Sequence, residues 1–338
     1  MTSKFLELQL PIFMPDATLG VVRALTTEQV ENTGTKMIVV NTYHLLITMG
    51  EKGMRKVGGI KKFMNWKGKV LSDSGGFQVF SLIHEKNNLG KVTPNGAIFR
   101  SPIDGSKHSL TPQISIDMQI AIGSDVLIAL DDCRSEDVSY EDAKQSVENT
   151  IRWAKVSKKY LNNKYPKQSE RVKLFAVVQG GNHKELRKHC AEELIKIGFD
   201  GYCFGGWPVD NRGRLVSDIL EYVASIIPDD KAKYAMGVGT PDDIKKCFKM
   251  GYNMFDCVIP TRNARHGLLY TSKGEIRIQK SKFKYDSSAP DSKCECYTCS
   301  NFTKAYLHHL FKSKEMASYS LATIHNLQYY SDLMKSLV

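Results

Sequence analysis

Short apolar runs rich in β-branched residues alternate along this chain with longer segments whose apolar positions recur at helical spacing. The β-prone runs are Leu10–Pro15, Met37–Asn41, Val70–Ser72, Val126–Asp131, Leu174–Gln179, Gly201–Phe204, Tyr234–Val238 and Met254–Ile259. Between most of them lie helix-like stretches with start signals: Thr26–Thr33, Thr111–Ile122, Tyr140–Leu161, His183–Ile197, Arg214–Ile226 and Pro241–Met250. The last opens with Thr240 as N-cap and Pro241 in the first turn, where a missing N–H costs nothing. This repeated alternation over about 250 residues predicts an α/β fold, a (β/α)8 TIM barrel. A doubly wound open sheet would want a glycine-rich turn after its first strand, and Pro11–Asp16 is not one.

Two stretches depart from the repeat. Residues 84–110 are turn-rich, with Pro94, Asn95, Gly96, Asp104 and Gly105 flanking Ala97–Arg100, and read as a β-hairpin inserted after the third strand. Residues 268–338 hold a hairpin around Lys273 and Gly274, a cysteine cluster and a helical tail.

Composition narrows the class. At 42% hydrophobic and 25% charged, 338 residues suit a soluble globular chain with one large core or two modest ones. No apolar run approaches the ~20 residues of a membrane span, and the N-terminal residues lack the apolar core of a signal peptide. The expected location is the cytoplasm. A net charge of +11 attracts polyanions and makes nucleic acid a candidate partner, although a lysine-rich surface from biased genome composition would give the same number.

Eight cysteines would signal disulfides in a secreted chain, but three cluster at Cys294, Cys296 and Cys299 while the others are scattered. That pattern fits a metal site plus reduced thiols. With the distant His325 the cluster offers four soft or borderline donors for tetrahedral Zn2+. Four protein ligands leave no open position, so the zinc is expected to be structural, one per chain. His308 and His309 are a rival donor pair, but beside Tyr306, Leu307 and Leu310 they read as packing or an interface. The expected division is a catalytic barrel over 1–280 and a zinc-binding subdomain with a helical tail, packed on the barrel, over 281–338.

Chemistry in such a barrel sits where strands end. Those ends carry Asp73–Phe77 after the third strand, Asp131–Cys133 after the fourth, Gln179–Gly181 after the fifth and Gly205–Gly206 after the sixth. Met236–Gly239 surrounds the end of the seventh, and Asp256 lies in the eighth. Singly, each reads as a tight turn or a helix cap. Together they bring acids, an amide and glycines to one mouth. Asp256 interrupts an apolar run that breaks at Pro260 into an expected loop holding Arg262, Arg265 and His266. An acid in a buried strand is costly. It is either a structural carboxylate satisfied by backbone N–H groups or arginines, or a desolvated nucleophile suited to an electrophile carried on a polyanion.

The motifs and their order resemble the tRNA-guanine transglycosylase family, also called queuine or 7-deazaguanine tRNA-ribosyltransferase. Matching residues run nearly end to end: Asn41–Leu45, Ser72–Gln78, Gly123–Asp125, Gln179–Gly180, Phe199–Tyr202 with Gly205–Gly206, Met236–Gly239, Met254–Gly267, the three cysteines and Ile324–Asn326. The resemblance implies a (β/α)8 barrel with a zinc-binding subdomain. It also implies a pentosyltransferase that exchanges guanine at the anticodon wobble position of tRNA for a 7-deazaguanine. In it Asp256 would attack C1′ of the ribose and Asp73 would be the general acid/base, after the logic of a retaining glycosidase. Asp131, Gln179 and the Gly206 backbone would hold the edge of the base, Phe77 and Met236 would sandwich it, and Cys133 would wall the pocket. Arg262 and Arg265 would contact the anticodon loop. A homodimer through the C-terminal region would use Phe302, Tyr306 and His309.

The resemblance is incomplete in three places. Family members usually carry a longer N-terminal β-hairpin and run further past the zinc histidine. The loop Gly205–Asn211 also differs from the bacterial pattern, with Trp207 and Pro208 in it and Asn211 where bacterial members have an acid. Asp210 would then have to settle the ammonium of a 7-aminomethyl-7-deazaguanine (preQ1). Because Cys133 and Val209 match the bacterial form, preQ1 is the expected base. Insertion of queuine, or action on DNA by a deazaguanine transglycosylase, are the alternatives.

Overall fold

The computed structural model describes residues 10–85, 89–135 and 138–338. The N-terminal residues read above for a signal peptide, and residues 86–88 of the insertion, lie outside that range. Eight parallel strands form one sheet: Ile12–Pro15, Met37–Val40, Lys69–Ser72, Val126–Ile128, Lys173–Val178, Gly201–Phe204, Ala232–Ala235 and Met254–Cys257. From the second onward each pairs with the next in the chain, and the first pairs with the eighth, Met14 opposite Asp256. A bridge between Asp16 and Val39, with the Ala17 N–H donating to the Val39 carbonyl at 2.7 Å, joins the first strand to the second and closes the barrel.

Period-two alternation sorts the side chains. Met14, Val39, Leu71, Val177 and Met254 point into the barrel and pack on one another, while Phe13, Val178 and Phe255 point out against the helices. Hence residues two positions beyond an interior apolar side chain also project inward, above the core. Asp16, Asn41, Asp73, Gln179 and Asp256 occupy those places.

The structure departs from the expectation in several places, the fourth and eighth strands ending early at Ile128 and Cys257 among them. The seventh strand ends at Ala235, because Gly237 turns the chain with φ +75, a conformation outside any ladder. The insertion is a three-stranded antiparallel sheet, Gly90–Thr93, Gly96–Arg100 and Lys107–Leu110, rather than one hairpin. Three short helices, Thr42–Thr48, Gly50–Lys56 and Gly59–Met64, lie between the second and third strands. Finally, the expected basic loop after Pro260 is a helix, Ile259–Arg265. Pro260 sits in its first turn, where proline starts a helix instead of breaking one.

The tail helix Ala317–Ser336 braces this last element. Asn326 Nδ2 donates to the carbonyls of Pro260 and Leu268, each at 3.0 Å, and Asn326 Oδ1 accepts from the Tyr270 N–H at 3.1 Å. Tyr330 packs its ring on Phe13 and donates its hydroxyl to the Gly239 carbonyl. All eight cysteines are free, and no helix among the described residues is long and apolar enough to cross a membrane.

Candidate active site

The polar ring opens into a cavity of about 450 Å3 lined by residues from the C-terminal ends of the strands on opposite sides of the mouth, Asp16, Asp73, Asp131, Met236 and Asp256 among them. Its acids are held in different ways. Asp256 Oδ1 accepts from the Tyr234 hydroxyl at 2.7 Å and from the Gly237 N–H at 2.8 Å. Burial raises its pKa and those two donors pull it back. The positive φ of Gly237 is what aims that N–H at the carboxylate, so the glycine serves the acid directly.

Asp73 is gripped by the second strand's end. Thr42 and Gly75 N–H groups donate to its Oδ1 at 2.8 and 3.1 Å, and Asn41 Nδ2 donates to Oδ2. Burial still wins, with smaller pushes from Asp256 and Asp16, and carries its pKa up to about 7. Asp73 and Asp256 keep part of their surface on the cavity while lying deep below its rim, so each is poorly solvated yet reachable.

Asp131 is buried, and desolvation raises its pKa to about 6 against the donors Gln179 and Ser74. Gln179 Nε2 donates to Asp131 Oδ2 at 2.7 Å and the Ser74 hydroxyl to Oδ1 at 3.1 Å. Each oxygen retains a second lone pair. Gln179 lines a smaller adjoining cavity that shares Gly206 and Trp207 with the main one. Cys133 and Val209 line the main cavity with Trp207 and Pro208. Phe77 meets Trp207 edge-on, ring centres 5.0 Å apart, at the rim.

Four contributors escaped the sequence reading. Asp16, Asn41 and Tyr234 each belong to the barrel interior by periodicity alone. Arg187, buried in the helix Lys184–Ile197, donates to the carbonyls of Val178, Gly181 and Gly205, tying the ends of the fifth and sixth strands. Asp210 was the nearest acid proposed for an aminomethyl ammonium, and the structure commits it elsewhere. Its carboxylate accepts from the Arg212 and Arg214 N–H groups and from the Arg214 guanidinium, all at 2.8–2.9 Å, within its own turn.

Arg262 and Arg265 project from the helix after Asp256. Arg262 is exposed, whereas Arg265 is half-buried with its Nη1 lacking a hydrogen-bond partner. Burial, followed by repulsion from Arg23, lowers the Arg265 pKa; Asp16 pulls against that shift and Arg262 adds a smaller push in its direction. A clustered set of cations with an unused donor suits an anionic ligand.

The cysteine cluster lies away from the mouth. Donor atoms of Cys294, Cys296, Cys299 and His325 all fall within 4.8 Å of one another. His325 Nδ1 is 3.2 Å from Cys299 Sγ and 3.7 Å from Cys296 Sγ, close to the edges of about 3.3–3.8 Å that tetrahedral zinc requires. The other ring nitrogen, Nε2, donates to the Tyr270 carbonyl at 2.7 Å, which leaves Nδ1 free to ligate. Three thiols and an oriented imidazole fit Zn2+. His308 instead packs under the hairpin with Nδ1 on the Ile278 carbonyl at 2.9 Å, the structural role expected of it. Phe302 stacks on the exposed Tyr306, and His309 is exposed on the same helix.

The family model described as queuine tRNA-ribosyltransferase matches residues 2–337. A queuine tRNA-ribosyltransferase of Caldanaerobacter subterraneus subsp. tengcongensis is 44% identical over 98% of this chain and 86% of its own length. Proteins of the same name from Thermoanaerobacter pseudethanolicus and Psychromonas ingrahamii are each 43% identical over the same shares. With the barrel, the acids at its mouth and the Cys3His cluster all present, the chain belongs to the queuine tRNA-ribosyltransferase family.

Proposed function

We propose that this protein exchanges guanine at the wobble position of a tRNA anticodon for a 7-deazaguanine by double displacement. The observation that carries the reading is the division of labour between two desolvated acids on one cavity. Asp256 has one oxygen fixed by Tyr234 and Gly237, leaving the other to attack C1′ of the ribose. Asp73, raised to about 7, is populated in both protonation states near neutrality.

An Asp256 oxygen bonds to C1′ as the bond to guanine N9 breaks, and Asp73 supplies the proton the departing base needs. Asp73, now a carboxylate, removes the N9 proton of the incoming 7-deazaguanine, which attacks C1′ and releases Asp256. Two displacements at one carbon retain its configuration. Asp131, Gln179 and the Gly206 backbone hold the edge of the base, Phe77 and Met236 cover its faces, and Cys133 walls the pocket. Arg262 and Arg265 take the anticodon-loop phosphates. The base is preQ1 on the strength of Cys133 and Val209, and its ammonium must find an acceptor other than Asp210. Denaturation-stable RNA–protein adduct formed by wild type with an anticodon stem-loop and a 7-deazaguanine, but not by Asp256→Asn, tests the reading. An adduct that survives in that variant would sink it.

The region 281–338 is organised by one structural Zn2+ on Cys294, Cys296, Cys299 and His325, and it supplies a homodimer contact through Phe302, Tyr306 and His309. Metal content per chain and the mass of the particle in solution check both statements.

A further inference from the structure

We infer that Asp16 accepts a hydrogen bond from the 2′-hydroxyl of the target ribose, so that this carboxylate makes the site select RNA over DNA. The inference rests on the reading of Asp256 as the ribosyl acceptor. Strand order supplies the direction. Asp131, Gln179 and Gly206 follow the fourth, fifth and sixth strands, which lie across the barrel from the first. A base gripped there, with its sugar carbon at Asp256 on the eighth strand, leaves the sugar on the side of the first and second strands.

Asp16 is a polar group on that side with hydrogen-bonding capacity to spare, whereas Asn41 at the end of the second strand is committed to Asp73 and the His44 N–H. Met14 pairs with Asp256 across the strands, and Asp16 projects into the same cavity two residues further on, beside Val39 and Val258. Its Oδ1 accepts from the N–H and hydroxyl of Thr18. Its Oδ2 has no hydrogen-bond partner, and the side chain has no ion pair, among the described residues. Arg265, His44, Asp73 and Asp256 lie near enough to feel its charge, but none is within hydrogen-bond distance of it, so this half-buried carboxylate with a spare oxygen calls for a donor. The 2′-hydroxyl sits on the carbon next to C1′ and is the group that distinguishes RNA from DNA. As positive charge builds on the sugar ring, that hydroxyl becomes a better donor, so the bond strengthens toward the transition state.

The test uses the full chain and two anticodon stem-loop RNAs that differ only in a 2′-deoxy target guanosine, with labelled-guanine exchange measured on both. Wild type should lose about tenfold or more in kcat/KM on the deoxy RNA, mainly in kcat. Asp16→Ala should lose about as much on the ribose RNA and little more on the deoxy RNA, bringing the ratio within about twofold. Asp16→Asn keeps the side-chain shape and the acceptor for Thr18, so it controls for collapse of the strand end and should narrow the ratio too. A wild-type ratio retained by both variants overturns the role of Asp16 while leaving the exchange reaction standing. Absence of exchange on the ribose RNA by wild type overturns both.

Discussion

The barrel mouth and the cysteine cluster are both made of ionisable side chains withdrawn from water, and they resolve that cost in opposite ways. At the mouth, Asp73, Asp131 and Asp256 have hydrogen bonds but no ion pair among the described residues, and burial raises the pKa of each. In the cluster, three thiols and an imidazole converge on one point, with the imidazole pre-aimed by Tyr270. One region keeps its acids hydrogen-bonded but without a counter-charge, and therefore reactive; the other has a donor set that a single divalent cation would satisfy completely. The regions are joined, because the helix carrying His325 also carries Asn326, which holds the turn carrying Arg262 and Arg265 by the Pro260 carbonyl. The tail thus supports the mouth, and on the proposed reading a metal in the cluster would do so without entering its chemistry.

The comparison breaks most sharply at Asp256. Asp256→Ala or Asp256→Asn should lower guanine exchange by about four orders of magnitude or more and abolish the covalent adduct. Single-turnover exchange and denaturing gels read both, and an active variant would mean the mouth is not the reactive region.

Asp73 separates reactivity from stability. Asp73→Asn should still bind RNA while turnover falls about 10²- to 10⁴-fold, since an amide cannot shuttle the proton. The same change should stabilise the fold at pH 8. The folded pKa of Asp73 lies above the unfolded one, so its contribution is complete below about pH 4 and is lost as pH rises through about 7. Raising the group from 3.8 to about 7 corresponds to at most about 4 kcal/mol. Denaturant midpoints of wild type and variant should therefore meet near pH 4, diverge as pH rises to about 7 and stay apart above it, with the variant higher. A variant less stable at pH 8 would show that the Asn41, Thr42 and Gly75 donors outweigh desolvation.

For the cluster the signs reverse. Chelation, or His325→Ala, should destabilise the 281–338 region and weaken tRNA binding about ten- to a hundredfold, while the rate of the chemical step on bound RNA changes little. Hydrogen exchange of the tail helix beside single-turnover rates makes the check. A large loss in the chemical step with the tail still folded would place the metal in the reaction.

How much of this was readable from residues alone follows the range of the interactions. All eight strands were legible, because glycine and proline punctuate short apolar runs, and the cluster was legible because three of its four ligands sit within one turn of chain. Asp73, Asp131 and Asp256 stood out as acids at strand ends. Asp16 and Tyr234 did not, because their part depends on which strands neighbour one another and on how the pleat turns. The helix Ile259–Arg265 was missed because proline was read as a break where it is a first-turn residue. The helices over 42–64 were missed because turns at Gly50, Gly58 and Gly59, all at positive φ, divide them into pieces too short to show a period.

The smallest expected effect lies in the loop that differs most from the bacterial pattern. Val209 lines the cavity and bridges to Leu215 across the turn that Asp210 organises. In the proposed pose its methyl groups would narrow the wall beside the substituent on C7 of the base, so wild type should favour preQ1 over queuine in kcat/KM on one tRNA. Val209→Gly removes that bulk and should shift the ratio toward queuine by about tenfold, or about 1.4 kcal/mol in the transition state. The turn itself should hold, because the Arg212 and Arg214 contacts to the Asp210 carboxylate do not involve the Val209 side chain. A wild-type preference of about tenfold or more for queuine would instead assign base choice to Trp207 and Pro208, which line the same wall and are untouched by the substitution.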